Sequence, residues 1–441
     1  MFYLLRHLAV LVACCLASAS VAQPTYPETD LPELARLLEA AREKSPALVA
    51  QALAQQEATA RLDAAKSANY PRFDLGGNLG FTRDTYLDGN YPDEDKFGVN
   101  FNARLSRPLY HWGAIEAKIH QASLDYDNEG LQRVFILRQI KRGLRSDYLT
   151  LLLNQSSLEI LRLRRQITDD KAARTAADRA QGTLSTMAGE QAAIDLSQDV
   201  LNIEQLEADQ TRIVADFKRN LGWEAPLRLD ASLPRPDPTA LLAWVEQIRA
   251  RGLDAWVADH GEVKRRENLL ARERDELIRI KANQRPLLNF AASAGQNQRN
   301  TSAANNVATL TYFIGIDASW NVFDGGETSA RKRESLLRQR RIEGQLEAYR
   351  AELRAQAINV VDQIAFLTRQ FQLDERLAAL VDQTFANQQR EASEGRTSAQ
   401  GFRQQQLAAQ EGRLAAQRTR VRLLLALNDY LDLTLPAVVG E

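Results

Sequence analysis

An internal repeat with a period of roughly 214 residues constrains the fold of this chain more than any other feature. Three landmarks recur in the same order: residues 66–71 as 281–286, residues 109–113 as 322–326, and residues 181–185 as 394–398. A period this long indicates a duplicated half and not an array of short repeats. We therefore predict a first repeat over 23–227, a linker over 228–238 and a second repeat over 239–441.

The N-terminal segment 1–22 has the pattern of an export signal. Arg6 and His7 precede an apolar run over 8–17, and small residues over 18–22 suit cleavage. Lipidation at Cys14 is the alternative, although cleavage before it would leave only about six apolar residues. Cys14 and Cys15 are the two cysteines of the chain, so the processed protein has no thiol for a disulfide, a zinc site or cysteine catalysis.

Each half is predicted to contain a broken and a long helical path. The first helix has Asp30 as N-cap and Glu33 as capping-box partner and ends before Pro71. Its counterpart begins at Asp237 and Pro238 and ends before Pro286. Uninterrupted helices follow over 114–181 and 327–394, each with a narrow apolar seam, and return helices follow them.

The predicted helix lengths match one another. Each long helix would reach about 100 Å, and the helices over 31–67 and 185–221 would each reach about 55 Å. Two short helices stacked end to end therefore match one long helix, which predicts a cylinder of coiled-coil helices, an α-barrel. An ordinary elongated coiled coil is the alternative from the helices alone.

The strand pairs predicted over 72–109 and 287–323 favour a membrane protein. Past the signal, the sequence has no apolar run near the roughly 20 residues of a spanning helix, so membrane insertion would require strands. Apolar and polar residues alternate over 73–82, 97–106 and 309–321, as in a transmembrane barrel, whereas 287–296 is alanine-rich and weaker. This pattern predicts a lumen-facing set of Asn100, Asn102, Arg104 and Asp317. A soluble sheet packed on a helix is the alternative.

The number of strands predicts an oligomer. Four strands cannot close a membrane barrel, and an open edge in lipid would leave backbone groups unpaired. Three copies would supply about twelve strands, enough to surround an open lumen.

The repeats, the helix-ending Pro71 and Pro286, and the strand-to-helix junctions over 108–113 and 320–326 resemble those of the TolC-like outer-membrane efflux proteins. The resemblance covers nearly the whole processed chain. It implies a mainly α fold with a small transmembrane β part: a homotrimer whose 12-stranded β-barrel continues into an α-barrel. It also implies a duct in the outer-membrane lipid with a large periplasmic portion, partnered by a periplasmic adaptor and an inner-membrane transporter in efflux or type I secretion.

The resemblance also implies that the two glycine turns form a periplasmic tip that docks the adaptor. The first turn is Gly182, Thr183, Leu184 and Ser185, and the second is Gly395, Arg396, Thr397 and Ser398. Both glycines also suit a left-handed helix C-cap. Some family members close the tip with aspartates, whose positions here hold Gly401 and Gln404, so no cation-binding ring is expected. Ion pairs could close it instead, unless these charges form only a solvated face; the candidate residues are Arg390, Glu391, Glu394 and Arg396.

Other classes of protein are less consistent with the sequence. The net charge of −1 and the lack of a long basic block argue against a nucleic-acid partner. No phosphate-binding loop, metalloprotease motif or nucleophile elbow occurs, so we expect no enzyme and no cofactor or metal site. A soluble periplasmic coiled-coil scaffold or adaptor protein is the remaining alternative.

Overall fold

The computed structural model describes residues 26–85, 94–181, 186–223, 226–227, 229, 232–252, 254–300, 306–394, 396 and 398–434. The predicted signal, Cys14 included, lies outside these residues. The chain divides into two compact units. Unit 1 comprises 1–50, 133–261 and 350–441, and unit 2 comprises 51–132 and 262–349.

The elements recur in the same order along both halves of the chain. The helices are α1 (Pro32–Lys44), α2 (Pro46–Lys66), α3 (Ala114–Ala180), α4 (Thr186–Leu221), α5 (Pro238–Arg251), α6 (Asp254–Asp259), α7 (Gly261–Ala282), α8 (Glu327–Ser393) and α9 (Ala399–Thr434). The strands are β1 (Arg72–Asp84), β2 (Glu94–Tyr110), β3 (Leu287–Asn300) and β4 (Asn306–Ser319). The long helices α3 and α8 have 67 residues each, and the return helices α4 and α9 have 36 each.

Unit 2 is a layer of helices joined to a four-stranded sheet. The strands are antiparallel in the order β1-β2-β3-β4. Side-chain hydrogen bonds join α2 to α3 through Gln51 and Glu129, and α3 to α7 through Asn128 and Asn268. Arg274 of α7 pairs with Glu343 of α8 across 3.4 Å. The helix order α2-α3-α7-α8 therefore follows the strand order.

Unit 1 contains two apolar clusters that share the end of α9. Leucines of α1 pack on Tyr148 and Leu149 of α3 and on Phe217 of α4. Residues of α5 and α8, among them Trp244 and Phe371, pack with the opposite side of α9. No described helix combines the length and the apolar character required to cross a membrane.

The predicted start of the first helix is wrong. Asp30 ends a short 3-10 turn, its N–H donating to the Pro27 carbonyl, and the helix begins at Pro32 after Leu31 without a side-chain cap. Glu33 accepts a hydrogen bond from Arg36 at 3.0 Å and so does not complete a capping box. Sequence reasoning missed that Pro32 fits the first helical turn, where its absent N–H removes no helical hydrogen bond.

The paths before the strand pairs are also more broken than predicted. Pro46 separates α1 from α2, since proline has no N–H to continue the helical ladder. In the second half, Asp237 is the predicted N-cap and accepts from the Thr239 N–H at 2.9 Å. That path is nevertheless interrupted at Gly252, which has φ of 75°, and again at His260.

Candidate membrane sheet, strand-to-helix junctions and tip turns

The register of the sheet separates an apolar face from a polar face. Leu75, Ala103, Ala294 and Tyr312 form one continuous row across all four strands. The adjacent row on that face is Phe73, Leu105, Ala292 and Ile314. The alanine-rich β3, predicted to be weak, pairs along its length and contributes small side chains to this face.

The apolar face is exposed in the single chain. The exposed fraction is 83% for Phe81, 74% for Leu75 and 76% for Ile314. A contiguous apolar surface of this kind marks an interaction with a protein or with lipid. The packed soluble sheet that remained an alternative would require this face to be covered, and no described element covers it.

The opposite face carries the four residues predicted to face a lumen. Arg104 of β2 and Asp317 of β4 reach across β3 and form an ion pair of 3.2 Å. Asn102 pairs in register with Gly76 and Gly295, and Asn100 with Asn78. The structure thus brings Arg104 and Asp317 together and places both asparagines on the same polar face.

Both strand-to-helix junctions contain two consecutive residues with positive φ. Trp112 and Gly113 have φ of 56° and 80°, and their counterparts Gly325 and Gly326 have φ of 67° and 90°. Each pair of left-handed residues turns the chain from the sheet into a long helix. The two junctions therefore share this local geometry, and the division of the chain into two repeats stays a prediction.

Different side chains stabilise the two junctions. The indole of Trp112 donates to the Pro286 carbonyl at 2.9 Å. At the second junction, Asp324 accepts from the N–H groups of Gly326 and Thr328 and from the Thr328 hydroxyl. The Thr328 hydrogen bonds hold the pKa of the Asp324 carboxyl below its ordinary value. Asp324 is therefore a helix cap, since these N–H groups have no helical partner.

Most of the predicted tip residues lie outside the described part of the chain: Gly182, Thr183, Leu184, Ser185, Gly395 and Thr397. Near the second turn, the Arg396 N–H donates to the Glu391 carbonyl at 2.9 Å, the six-to-one bond of a Schellman helix end. The Ser398 hydroxyl accepts from the Gly401 N–H at 3.1 Å and caps α9. These bonds are typical of a short turn that joins the end of one helix to the start of the next.

The candidate tip gate contains one described ion pair. Arg396 contacts Glu394 at 3.2 Å, and both side chains are more than half exposed. An exposed pair contributes about 0–1 kcal/mol, so it would not hold a turn shut within one chain. A gate formed by Arg390, Glu391, Glu394 and Arg396 between copies stays a prediction.

Sequence reasoning missed two apolar stripes on unit 1. Polar contacts give the helix order α4-α3-α9-α8: Arg162 pairs with Glu207, Arg142 with Asp429, and Arg413 with Asp382. Helices α4 and α8 are therefore the edges of this layer. Exposed apolar residues recur on both at heptad spacing: Met187, Ile194 and Leu201 on α4, and Phe366, Leu373 and Leu380 on α8.

The described residues contain no group of three or more acidic, histidine or cysteine side chains placed to hold a metal ion. The arrangement instead offers surfaces: a two-faced sheet, its junctions and the helical edges.

Comparison with known structures shows that the chain shares its fold with several outer-membrane channel proteins. The chain is similar to CusC, with 14% identity and a TM-score of 0.69 over 94% of this chain and 95% of that chain. It is also similar to CmeC of Campylobacter jejuni, with 11% identity and a TM-score of 0.71 over 91% of this chain and 85% of that chain. VceC of Vibrio cholerae has 13% identity and a TM-score of 0.67 over 92% and 96% of the two chains.

The sequence also matches a known family over part of its length. Residues 37–222 match the family described as outer membrane efflux protein. No curated protein matches the chain at a significant level. The family match and the shared fold confirm the predicted resemblance to the TolC-like outer-membrane efflux proteins.

Proposed function

We propose that this chain is one protomer of a trimeric outer-membrane duct for efflux or type I secretion. A periplasmic adaptor and an inner-membrane transporter would be its partners, and a large part of the duct would lie in the periplasm. The observation that carries the proposal is the sheet with one exposed apolar face, one polar face and two outer strands. Lipid would cover the apolar face, and the polar face would line the passage.

The outer strands indicate how copies would join. In the described sheet, β1 and β4 each pair with a strand on one side only. An unpaired edge in lipid is costly, because no water is present to bind its N–H and C=O groups. Pairing β1 of one copy with β4 of the next would remove every edge, and three copies would close a barrel of about twelve strands.

The stripes on α4 and α8 support a head-to-tail contact in the periplasmic helices. An edge carrying Ile194 and Leu201 can pack against an edge carrying Leu373 and Leu380, since both present apolar residues every seven positions. Because the two surfaces differ, the contact is heterologous and produces a closed ring when its rotation fits. Three four-helix layers would then form an α-barrel of about twelve helices.

Cysteine labelling tests the facing of the sheet. We expect Val99→Cys and Phe101→Cys to be protected from a membrane-impermeant thiol reagent in outer-membrane vesicles, because lipid covers them. Asn100→Cys and Asn102→Cys should react from the water-filled passage. The processed chain is expected to have no thiol of its own, so the background is low. Equal labelling at all four sites, or recovery in the soluble periplasmic fraction, would favour the scaffold alternative.

We further propose that the glycine turns dock the adaptor. Valine in a left-handed turn costs about 1–2 kcal/mol, too little to unfold a large trimer but enough to reshape a tip. Gly182→Val and Gly395→Val should therefore leave trimer assembly intact and abolish both export and crosslinking to the adaptor. Normal export by either variant would contradict docking at that turn, and so would loss of export with crosslinking retained.

A further inference from the structure

Arg107 places a positive charge on the apolar face of the sheet. It lies two residues beyond Leu105 and pairs in register with Phe290, which pairs with Ile316. The Arg107 side chain is exposed and has no ion pair or hydrogen bond with any described residue. A cation facing lipid is costly unless its head reaches the membrane surface and a counter-charge, so its position requires an explanation.

A second arginine lies where the same face ends. The guanidinium of Arg285 stacks over the Trp112 ring, 4.6 Å from its centre, and Trp112 contacts the edge of Tyr110 at 4.7 Å. Tyr110 pairs with Leu288, which belongs to the apolar face. Arg285 is exposed and has no carboxylate partner among the described residues.

The aromatic rings beside these arginines are fixed to the backbone. Trp112 donates its indole N–H to the Pro286 carbonyl, and Trp320 donates to the Gln284 carbonyl at 3.0 Å. Neither indole N–H is therefore available to a ligand. The two guanidinium groups are the cationic hydrogen-bond donors of this border, which we call the cationic margin: Arg107, Tyr110, Trp112, Arg285 and Trp320.

The spacing allows both arginines to reach one layer of headgroups. Arg107 pairs with Phe290, and Tyr110 pairs with Leu288. These two partners are two residues apart on β3, which is a rise of about 7 Å along the strand. A long arginine side chain can span such a distance by extending along an apolar surface with its head towards water. Guanidinium groups bind phosphate oxygens in a two-pronged geometry.

We propose that the cationic margin binds the phosphate groups of anionic phospholipids that pack against the apolar face. This inference rests on the proposed function, because it requires the sheet to enter a bilayer. It adds a lipid class to that function: phospholipids with net negative charge should be preferred over zwitterionic ones.

Quenching of tryptophan fluorescence by brominated lipids tests the preference. The full processed protein is reconstituted in phosphatidylcholine vesicles that contain brominated phosphatidylglycerol or brominated phosphatidylcholine. The ratio of the two lipid-binding constants is then compared between variants, so any change in intrinsic fluorescence cancels. We expect the ratio to favour phosphatidylglycerol and to fall by up to about fivefold for each guanidinium removed in Arg107→Gln and Arg285→Gln.

Two controls separate charge from structure. Arg72→Gln lies near the same end of the sheet but on the polar face, where Arg72 is paired with Asp74 at 2.8 Å, and should leave the ratio unchanged. The double variant Arg107→Lys with Arg285→Lys keeps both charges and should retain most of the preference. An unchanged ratio in the double glutamine variant, or no preference in the unsubstituted protein, would overturn the inference.

Vesicle flotation distinguishes this inference from the proposed function. If the unsubstituted protein does not float with the vesicles, both are wrong. If it floats and the ratio of lipid-binding constants is the same with and without the Arg107 and Arg285 substitutions, only the lipid preference is wrong.

Discussion

At the scale of single residues, Arg145 of α3 holds both ends of the described chain. Its guanidinium is 3% exposed and forms a two-pronged contact with Glu28 at 2.6 and 3.0 Å. It also contacts Asp432 near the end of α9 at 3.3 Å and stacks on the Tyr26 ring. Burial raises the pKa of the Asp432 carboxyl above its ordinary value, although the nearby Arg145 charge opposes the shift.

Arg145→Gln should therefore lower the free energy of unfolding by about 3 kcal/mol, because it leaves two partly buried carboxylates without their buried cation. Chemical denaturation measures the change. Arg142→Gln is the matched control one turn away, since the exposed Arg142 pairs with the half-buried Asp429 at 2.8 Å, and it should cost only about 1 kcal/mol. Without Arg145 the folded-state pKa of Asp432 should rise further, so the folded state binds more protons and the loss of stability should shrink as the pH falls. Equal losses in both variants would contradict this account.

At the scale of elements, glycine has opposite effects at a junction and inside a long helix. Gly326 has φ of 90°, in the left-handed region that side chains disfavour. Gly344 lies within α8, and a Cβ added there would meet no atom within 4 Å. The conformation of the backbone, and not the available space, decides the outcome at each position.

We expect Gly326→Ala to destabilise the protein by about 1–2 kcal/mol and Gly344→Ala to stabilise it by about 1 kcal/mol. Thermal unfolding of the two variants under identical conditions provides the comparison. A stabilising effect at Gly326 would show that the junction tolerates a side chain and that its left-handed backbone is not a constraint.

At the scale of the whole molecule, the apolar stripes should decide assembly. Leu201 and Leu373 are exposed in the single chain, so a charge at either position should not disturb the fold of the protomer. In the proposed trimer each would be buried, and burial of a leucine side chain contributes about 1.5–3 kcal/mol per contact.

Leu201→Glu and Leu373→Glu should each reduce the trimer fraction measured by light scattering in detergent, with an unchanged helical circular-dichroism spectrum. Ala193→Glu is the control, since Ala193 is exposed on α4 and lies about 100° around the helix from Ile194, off the stripe. Mixing the two leucine variants gives a sharper result: a head-to-tail contact leaves a wild-type pairing between them, so mixed dimers should form and full trimers should not. Trimers that persist in both single variants would contradict the assignment of these edges.

Sequence alone determined the elements whose pattern is local. The alternation of apolar and polar residues predicted the strand pairs, and the long uninterrupted periodic segments predicted α3 and α8, because strand and helix periods depend only on neighbouring residues. The repeated glycines at 113 and 326 marked the junctions for the same reason. The sequence could also have revealed the stripe of Met187, Ile194 and Leu201, whose spacing of seven is visible in the chain.

Contacts between residues far apart in the chain depend on the tertiary structure. Arg104 and Asp317, 213 residues apart, form an ion pair because two strands pack on either side of β3. In the sequence, Arg145 is one of many charged residues of a long helix. The fold places residues 26–28 and Asp432 against it. The strand register pairs Arg107 with Phe290 and so places Arg107 on the apolar face. Local periodicity fixes the faces of an element, whereas the partner of a face depends on chain segments that no short window of sequence contains.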